Sequence, residues 1–285
     1  MELIVFDLDG TLLNAASAIS RYTADTLDLL TQNGVAYTVA TGRTLHASEQ
    51  VLTGQGFALP QVYKNGAVIW NPGVQEFSHQ KMLTLAEIEQ AMTACSNHNV
   101  TPFVFTIEGR ASHNVYCGPL QSDAEEQLKR VFLLGRGYAV KPLSELPAEA
   151  DIINISAIGA QSAIEPIKQV VERQPKLLAF SGPAFEGQGL FWIDIHRSDA
   201  SKGAAIQVLR EALGITRVIC FGDSDNDLSL FEIADERYAP DNALAEVRAN
   251  ADEVIGHHDD DGVARFLRDR FKLNASLVRS TGSQA

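Results

Sequence analysis

The stretch Val5-Phe6-Asp7-Leu8-Asp9-Gly10-Thr11-Leu12-Leu13 takes the chain from an apolar run to two carboxylates and a glycine that permits a sharp turn. Residues 3–6 are typical of a buried strand in a parallel sheet, which is apolar on both faces and leaves little room for charge. Asp7 and Asp9 are two residues apart, so in an extended segment their side chains project to the same side. Two carboxylates held together repel each other unless one is protonated or a cation lies between them. The stretch therefore predicts a metal ion at the end of a strand.

The length of 285 residues favours two domains, because a domain averages roughly 150 residues. The sequence contains no apolar stretch that approaches the roughly 20 residues of a membrane span, and its first residues lack the basic segment of a signal peptide. The three cysteines, Cys95, Cys117 and Cys220, are odd in number and far apart, which favours reduced thiols over a disulfide framework. We therefore expect a cytoplasmic protein, either a monomer or a homodimer.

The formal net charge of −13 argues against nucleic acid or an anionic membrane as a partner, since both bind basic surfaces. A small anionic substrate then requires local positive charge. A bound divalent cation with a nearby lysine and arginine would provide it, because the local charge governs a site more than the total charge does.

Two further apolar runs end in polar clusters, as the first one does. Residues 35–40 follow a predicted helix and lead into Thr41-Gly42-Arg43, and residues 217–221 lead into Gly222-Asp223-Ser224-Asp225-Asn226-Asp227. The order of strand, helix and strand predicts parallel pairing, and ligands of open parallel sheets bind outside the carboxyl ends of the strands. We therefore expect one site that includes Lys202 and the residues at these ends, namely Asp7, Asp9, Thr41, Asp223 and Asp227.

The middle of the chain has a different pattern of predicted strands and helices. Thr84 and Glu87 form a capping-box pattern ahead of a helical stripe, and short strands and helices follow in a pattern typical of an antiparallel sheet with helices on one face. The predicted fold is α/β, a doubly wound parallel-sheet core with an inserted α+β cap domain. The predicted domains are 1–81 for the first part of the core, 82–189 for the cap, 190–272 for the second part of the core and 273–285 for a flexible tail.

Only a few reactions fit the predicted site of aspartates, threonine and lysine. Clustered carboxylates bind hard divalent ions, and Mg²⁺ is the usual ion where phosphate is also present. Thr41, nearby backbone N–H groups and Lys202 can neutralise phosphate oxygens, while one aspartate attacks phosphorus and another transfers protons. The residues therefore predict phosphoryl transfer through an aspartyl phosphate.

The motifs resemble those of a known superfamily. The first stretch, Thr41-Gly42-Arg43, Ser201-Lys202-Gly203 and the cluster from Gly222 to Asp227 are similar to the four ordered motifs of the haloacid dehalogenase-like hydrolases. Three further segments narrow the resemblance to the Cof-type members, namely Asn65-Gly66-Ala67, Pro240-Asp241-Asn242-Ala243 and Asp261-Gly262-Val263-Ala264. The insert between the second and third motifs also matches in position.

The resemblance implies a role for each matching residue. Asp7 is the expected nucleophile and Asp9 the general acid and base. Mg²⁺ is expected on Asp7, Asp223 and the main-chain carbonyl of Asp9. The phosphate is expected on Thr41, Gly42 and Lys202, and the expected supporting residues are Arg43, Asn65, Asn226 and Asp227. The expected reaction is hydrolysis of a small phosphorylated metabolite, with a sugar phosphate as the leading candidate.

Other interpretations remain open at this point. The same two aspartates serve a sugar phosphomutase or phosphotransferase, and a phospholigand-binding protein without turnover is a further alternative. Arg43 either binds phosphate or pairs with an acid, and Asn65 either lies near the site or forms a turn with Gly66. His257 and His258 suggest a transition metal, although adjacent histidines in loops are more often solvated. They also stand in a segment where relatives often have Thr and Asn, which leaves the contacts of that loop open.

Overall fold

The computed structural model describes residues 1–108, 112–135, 138–184 and 189–273, which form two compact units. The first unit contains Met1–Ala40, Gln50–Leu59 and the chain from Leu209 onward, and the second contains Thr41–Glu49 and Pro60–Val208. The predicted tail 273–285 lies outside the described residues beyond Leu273. Within the described ranges, every helix is too short or too polar to cross a membrane.

The first unit is built on a five-stranded parallel sheet, in which an inner strand carries the opening motif. In spatial order its strands are β14 (Glu253–Ile255), β13 (Glu236–Pro240), β12 (Arg217–Phe221), β1 (Glu2–Phe6) and β2 (Ala36–Val39). All neighbours pair in parallel, and Phe6 lies opposite Phe221 on one side and Val39 on the other. The three apolar runs predicted to be parallel are therefore adjacent, and their carboxyl ends lie level with one another.

Helices pack against this sheet through apolar stripes. They are α1 (Arg21–Gln32), α7 (Leu228–Ile233), α8 (Ala245–Asn250) and α9 (Gly262–Phe271), while the division between the units falls inside α2 (Leu45–Leu52) and α6 (Lys202–Leu213). Helix α1 begins after Ser20, whose side chain accepts a hydrogen bond from the Thr23 N–H. Such a cap contributes about 1 kcal/mol. Leu27 and Leu30 of α1 then pack into the core beside Phe6 and Phe221.

The second unit contains two sheets. A small antiparallel sheet has the order β3 (Gln61–Tyr63), β4 (Val68–Asn71) and β5 (Glu76–Gln80). A larger sheet has the order β10 (Leu177–Pro183), β11 (Leu190–Arg197), β9 (Asp151–Ala160), β6 (Phe103–Glu108), β7 (Ser112–Cys117) and β8 (Ala139–Pro142). Its pairs are antiparallel except for β7 with β8, which are parallel.

The larger sheet is covered on both faces. Helices α3 (Leu85–Asn97) and α5 (Gln161–Glu172) pack on one face through residues such as Ile88 and Ile167, while α4 (Asp123–Arg130) follows β7 along the chain. On the other face, Phe103 and Phe105 pack with Tyr63 and Trp70 of the small sheet. The expected α+β module is present, but the predicted picture of helices on one face omitted the second layer.

The predicted end of the cap at Gly189 cuts through the larger sheet. Strand β11 (Leu190–Arg197) lies between β9 and β10, and its Asp194 is opposite Ser156 of β9. Ile193 and Ile195 pack among the helices α3 and α5, so the strand is part of that core. The boundary after 189 is therefore corrected, because a strand that satisfies the hydrogen bonds of both neighbours cannot belong to another sheet.

Candidate active site

Asp7 directly follows β1, an inner strand of the parallel sheet. Its N–H donates to the Phe221 carbonyl at 3.0 Å, which extends the ladder between β1 and β12 by one residue. The chain then enters a wide turn over Leu8–Leu12, closed by the Leu13 N–H donating to the Leu8 carbonyl at 2.8 Å. Because Leu8 and Leu13 are fully buried, the turn is anchored in the core and holds the nearly buried Asp7 at the sheet edge.

Asp9 has different surroundings from Asp7, since its side chain is exposed. The predicted extended geometry for the pair is therefore replaced by a turn that begins at Leu8. Gly10 makes this turn possible with φ of +74°, and a Cβ there would overlap the Asp223 carboxylate. A side chain at position 10 would thus strain the backbone and displace Asp223.

The Asp223 carboxylate is held at both oxygens by hydroxyl groups. Thr11 Oγ1 donates to Oδ1 at 3.1 Å, and Ser224 Oγ donates to Oδ2 at 3.1 Å. Thr11 is almost fully buried, so its hydroxyl joins the opening motif to the loop after β12. Sequence reasoning missed these two residues, because neither a threonine nor a serine in a turn signals its partner.

Asp227 fixes the backbone of the same loop. Its Oδ2 accepts hydrogen bonds from the N–H groups of Asp223 at 2.9 Å and Ser224 at 3.1 Å, and its side chain is fully buried. Gly222 leaves space for it, since a Cβ at position 222 would meet the Asp227 side chain at 2.5 Å. Asn226 is half-buried on the short helical turn Asp225–Asp227. Asp227 therefore shapes the loop in addition to bringing charge.

Three of the predicted residues converge into a cluster that could hold a metal ion. One carboxylate oxygen each from Asp7, Asp223 and Asp227 lies within 4.8 Å of the other two. Three carboxylates this close repel each other, and an oxygen-only donor set suits a hard divalent cation such as Mg²⁺. The residues of this unit thus fit the predicted ion.

A second loop braces the opening motif from the side. The Asn242 amide donates through Nδ2 to the Gly10 carbonyl at 2.8 Å and accepts at Oδ1 from the His258 N–H at 3.1 Å. The ring of His258 bonds through Nδ1 to the Leu13 carbonyl at 2.7 Å, and Asp259 Oδ1 accepts from the Ala15 N–H at 2.9 Å. The segment whose contacts were left open therefore holds the backbone of the motif.

Thr41, Gly42, Arg43 and Asn65 lie in neighbouring loops of the second unit. Thr41 donates its N–H to the Val62 carbonyl and accepts the Asn65 N–H at its own carbonyl, both at 3.0 Å. Its hydroxyl accepts the Arg43 N–H at 3.1 Å. A Cβ at Gly42 would lie 3.1 Å from Asn65 Oδ1, so the glycine allows this close approach.

Lys202 is the first residue of helix α6, and its side chain is fully buried. Ser201 precedes it as a cap, because its Oγ accepts the Ala204 N–H at 3.1 Å. A lysine buried at a helix start differs from the solvated one that position alone suggests. The predicted site residues thus form two groups, the aspartates in the first unit and the remainder in the second.

Comparisons with known proteins find phosphatases among the relatives of this chain. A model of the haloacid dehalogenase-like hydrolases matches residues 4–267. The chain is 26% identical over 292 residues to the 5-amino-6-(5-phospho-D-ribitylamino)uracil phosphatase YwtE of Bacillus subtilis, with 94% of this chain and 97% of the relative covered. It is 27% identical to the HMP-PP phosphatase of Cronobacter sakazakii, with 93% and 94% covered.

Solved structures agree with the fold. The crystal structure of TM0651 from Thermotoga maritima matches with a TM-score of 0.75 and 25% sequence identity, and the match covers 94% of this chain and 96% of that one. The similarity in sequence and in fold therefore extends over both units.

Proposed function

This chain belongs to the haloacid dehalogenase-like hydrolase family and is a phosphatase, and we propose that it hydrolyses a small phosphomonoester with Mg²⁺ through an aspartyl phosphate. The observation that carries the proposal is the cluster of Asp7, Asp223 and Asp227 at the carboxyl end of the parallel sheet. Asp7 directly follows strand β1 there, and the carboxyl ends of the strands are where open parallel sheets bind ligands.

The proposed reaction has two steps. In the first, an Asp7 oxygen forms a bond to phosphorus while the bond from phosphorus to the leaving oxygen breaks, and Asp9 gives that oxygen a proton. In the second, Asp9 takes a proton from water, whose oxygen attacks phosphorus and displaces the Asp7 oxygen. The turn at Gly10 supports this division, because it leaves Asp7 buried against the sheet and Asp9 exposed to a leaving group and to water.

Asp7, Asp223 and the main-chain carbonyl of Asp9 would hold Mg²⁺, with Asp227 and Asn226 supporting the loop that carries Asp223. When bound, the ion supplies positive charge that offsets the repulsion between carboxylate and phosphate. Thr11 and Ser224 orient the Asp223 oxygens before any ligand arrives, since both hydroxyls already donate to them. This preorganisation lowers the cost of assembling the site.

Thr41, Gly42 and Lys202 are the proposed phosphate ligands of the second unit, with Arg43 and Asn65 in support. Buried Lys202 supplies the local positive charge that a protein of net charge −13 requires to accept a phosphate. The two relatives are named as phosphatases of 5-amino-6-(5-phospho-D-ribitylamino)uracil and of HMP-PP, which supports a phosphorylated metabolite as substrate, with sugar phosphates as the first class to test. We place the protein in the cytoplasm, as a monomer or a homodimer, and the three buried free thiols support a reducing compartment.

The test is release of inorganic phosphate from a broad panel of phosphorylated metabolites, measured with Mg²⁺ and again with EDTA. We expect turnover of at least one compound with Mg²⁺, none with EDTA, and loss of at least about 10³-fold in kcat for Asp7→Asn, because the nucleophile is removed. Asp225→Asn is the matched control, since this exposed carboxylate lies on the same loop as Asp223 and should leave activity within a few-fold. If no compound is hydrolysed, or if Asp7→Asn keeps its activity, the proposal fails.

A further inference from the structure

The turn beside the predicted phosphate-binding residues has a backbone that Lys64 does not favour. Lys64, Asn65 and Gly66 all have positive φ, at +48°, +53° and +96°. Two consecutive side-chain-bearing residues in the left-handed region are uncommon, and lysine is not among the residues that adopt it readily. Such a conformation persists only when its surroundings determine it.

This turn touches each predicted phosphate-binding segment of its unit. The Lys64 N–H donates to the Arg43 carbonyl at 3.0 Å, and the Asn65 N–H donates to the Thr41 carbonyl at 3.0 Å. Gly66 lies so close to the backbone of Ser201, the residue before Lys202, that a Cβ would overlap the Ser201 carbonyl. The conformation of the turn therefore sets where these segments stand relative to one another.

Two side chains of strand β11, those of Asp194 and His196, contact the side chains of this turn. Lys64 is buried, and its Nζ lies 3.3 Å from Asp194 Oδ2 and 5.0 Å from the centre of the Phe105 ring. The Asn65 amide nitrogen lies 3.4 Å from His196 Nε2. Asp194 and His196 are two residues apart, so they project from the same face of one strand and reach adjacent residues of the turn.

The strand side of these contacts is itself fixed. Asp194 accepts hydrogen bonds from Ser156 Oγ and from Asn154 Nδ2, the latter at 3.3 Å. Burial alone would raise the pKa of Asp194, but the Lys64 charge and the Ser156 hydroxyl outweigh it and lower the pKa, so the carboxylate is charged. Ile193 and Ile195 between and beside the two residues are fully buried in the helix-covered core.

His196 is suited to accept a hydrogen bond rather than to carry charge. Burial, which outweighs the opposing charge of Asp194 and acts together with the charge of Lys64, lowers the pKa of His196 to about 4. In the tautomer that carries its proton on Nδ1, the neutral imidazole offers Nε2 as an acceptor to the Asn65 amide nitrogen, 3.4 Å away. His196 thus complements Asn65 at any pH near neutrality.

We propose that Asp194 and His196 are positioning residues for phosphate binding, acting through the left-handed turn at Lys64 and Asn65. The inference rests on the proposed function, since it assigns these residues to the binding of the phosphate by Thr41, Gly42 and Lys202. It gives β11 a role besides completing its sheet. An ion pair as largely buried as that of Lys64 and Asp194 is by itself weak evidence for stability, because apolar side chains of similar size can often replace such a pair. A role in positioning the turn would explain why the two charges are there.

The experiment measures KM, kcat and the inhibition constant of inorganic phosphate for three variants, Asp194→Asn, His196→Ala and the double variant Lys64→Met with Asp194→Leu. The double variant leaves no unpaired buried charge, so it should fold with a melting temperature close to that of the wild type. We expect the inhibition constant of phosphate and KM to rise together by roughly 10- to 100-fold in all three variants, because displacing a binding group by an ångström can weaken its contribution by up to about 100-fold. Asp194→Glu should recover part of the loss.

The matched control is Glu108→Gln with Lys141→Met, which removes another lysine–carboxylate pair of the same sheet, with a separation of 3.4 Å. It should leave both constants within about twofold, as expected for a half-exposed pair. A lower kcat at unchanged KM and unchanged phosphate inhibition would reveal only a smaller folded fraction and would overturn the inference. Absence of turnover in the wild type would instead overturn the proposed function, and this inference with it.

Discussion

Asn242 shows how much a single amide can do for the proposed site. Its amide nitrogen donates to the Gly10 carbonyl, and its amide oxygen accepts from the His258 N–H. Asn242 therefore joins the turn after Asp7 to the loop before α9. Neither atom of the amide can be exchanged without loss, since one end must donate and the other must accept. The residue touches no reacting group, and its effect on the reaction is through the backbone.

Replacing Asn242 by Asp tests this role. The change keeps the shape but turns the donor that faces the Gly10 carbonyl into an acceptor, which leaves two oxygens opposed. We expect the free energy of unfolding to fall by about 1–3 kcal/mol and kcat/KM to fall by roughly 10- to 100-fold. Steady-state kinetics and urea denaturation measure the two effects.

Asn250→Asp is the control, because the Asn250 amide also donates to a backbone carbonyl, that of Glu246 at 2.9 Å, but on an exposed helix. It should cost no more than about 0.5 kcal/mol and leave kcat/KM unchanged. Equal losses of activity in the two variants would show that Asn242 has no special connection to the site.

Several of the predicted site residues share one property, which is that they lie just after a strand or at the start of a helix. Asp7 and Asp223 come after two adjacent parallel strands, so the parallel topology alone predicts that they lie at one edge of that sheet. Thr41 follows another apolar strand, and Lys202 begins a helix. Thr11 and Asn242 act through turns, where the partner of a side chain depends on backbone angles that the sequence does not specify. The resemblance contained Asn242 within its motif but supplied no partner for it.

Strand β11 illustrates the same limit at the scale of an element. The alternation Trp192-Ile193-Asp194-Ile195-His196 places Asp194 and His196 on one face of the strand and the two isoleucines on the other. His196 is only 1% exposed, because the sheet is covered on both faces and the polar side meets the turn at Lys64. Alternation reveals which residues share a face, but it cannot distinguish a wet face from a buried polar one.

Helix α3 offers a prediction about pH, since its capping box was predicted and is present. Thr84 accepts the Glu87 N–H, and Glu87 Oε2 accepts the Thr84 N–H at 2.9 Å. The hydrogen bond from the Thr84 backbone and then that from Lys176 lower the pKa of Glu87 to about 2. Because the pKa of Glu87 is lower in the folded protein than in the unfolded chain, its ionised carboxylate stabilises the fold. This contribution is complete above pH 4.5 and is lost as the pH falls toward 2.

Glu87→Gln should therefore lower the free energy of unfolding by about 1 kcal/mol at pH 7, with a difference that shrinks between pH 4.5 and pH 2. Urea denaturation at several pH values in this range measures it. Glu89→Gln, an exposed position of the same helix, should show a difference within about 0.5 kcal/mol throughout. A Glu87 difference that stays constant down to pH 2 would contradict a contribution from the ionised carboxylate.

At the scale of the whole molecule, cations can stabilise the protein in two ways, by screening the net charge of −13 and by binding to the aspartate cluster. Any salt screens the general repulsion of a highly charged protein, whereas a site of three carboxylates within 4.8 Å should respond to a divalent ion specifically. The two effects separate when Mg²⁺ is compared with NaCl at equal ionic strength. A stabilisation that only Mg²⁺ produces belongs to the site.

We expect saturating Mg²⁺ to raise the melting temperature beyond the NaCl control, by several degrees if the free ion is at about 100 times its dissociation constant, where binding adds about 2.7 kcal/mol. Asp223→Asn should melt higher than the wild type in EDTA, because it relieves repulsion among the carboxylates, and should lose the Mg²⁺ response. Asp225→Asn should keep that response, since this exposed carboxylate lies outside the cluster. Equal shifts of the melting temperature with Mg²⁺ and with NaCl would mean that the cations act only by screening. The three carboxylates would then not form a metal site, and their repulsion would be offset by hydrogen bonds such as those from Thr11 and Ser224.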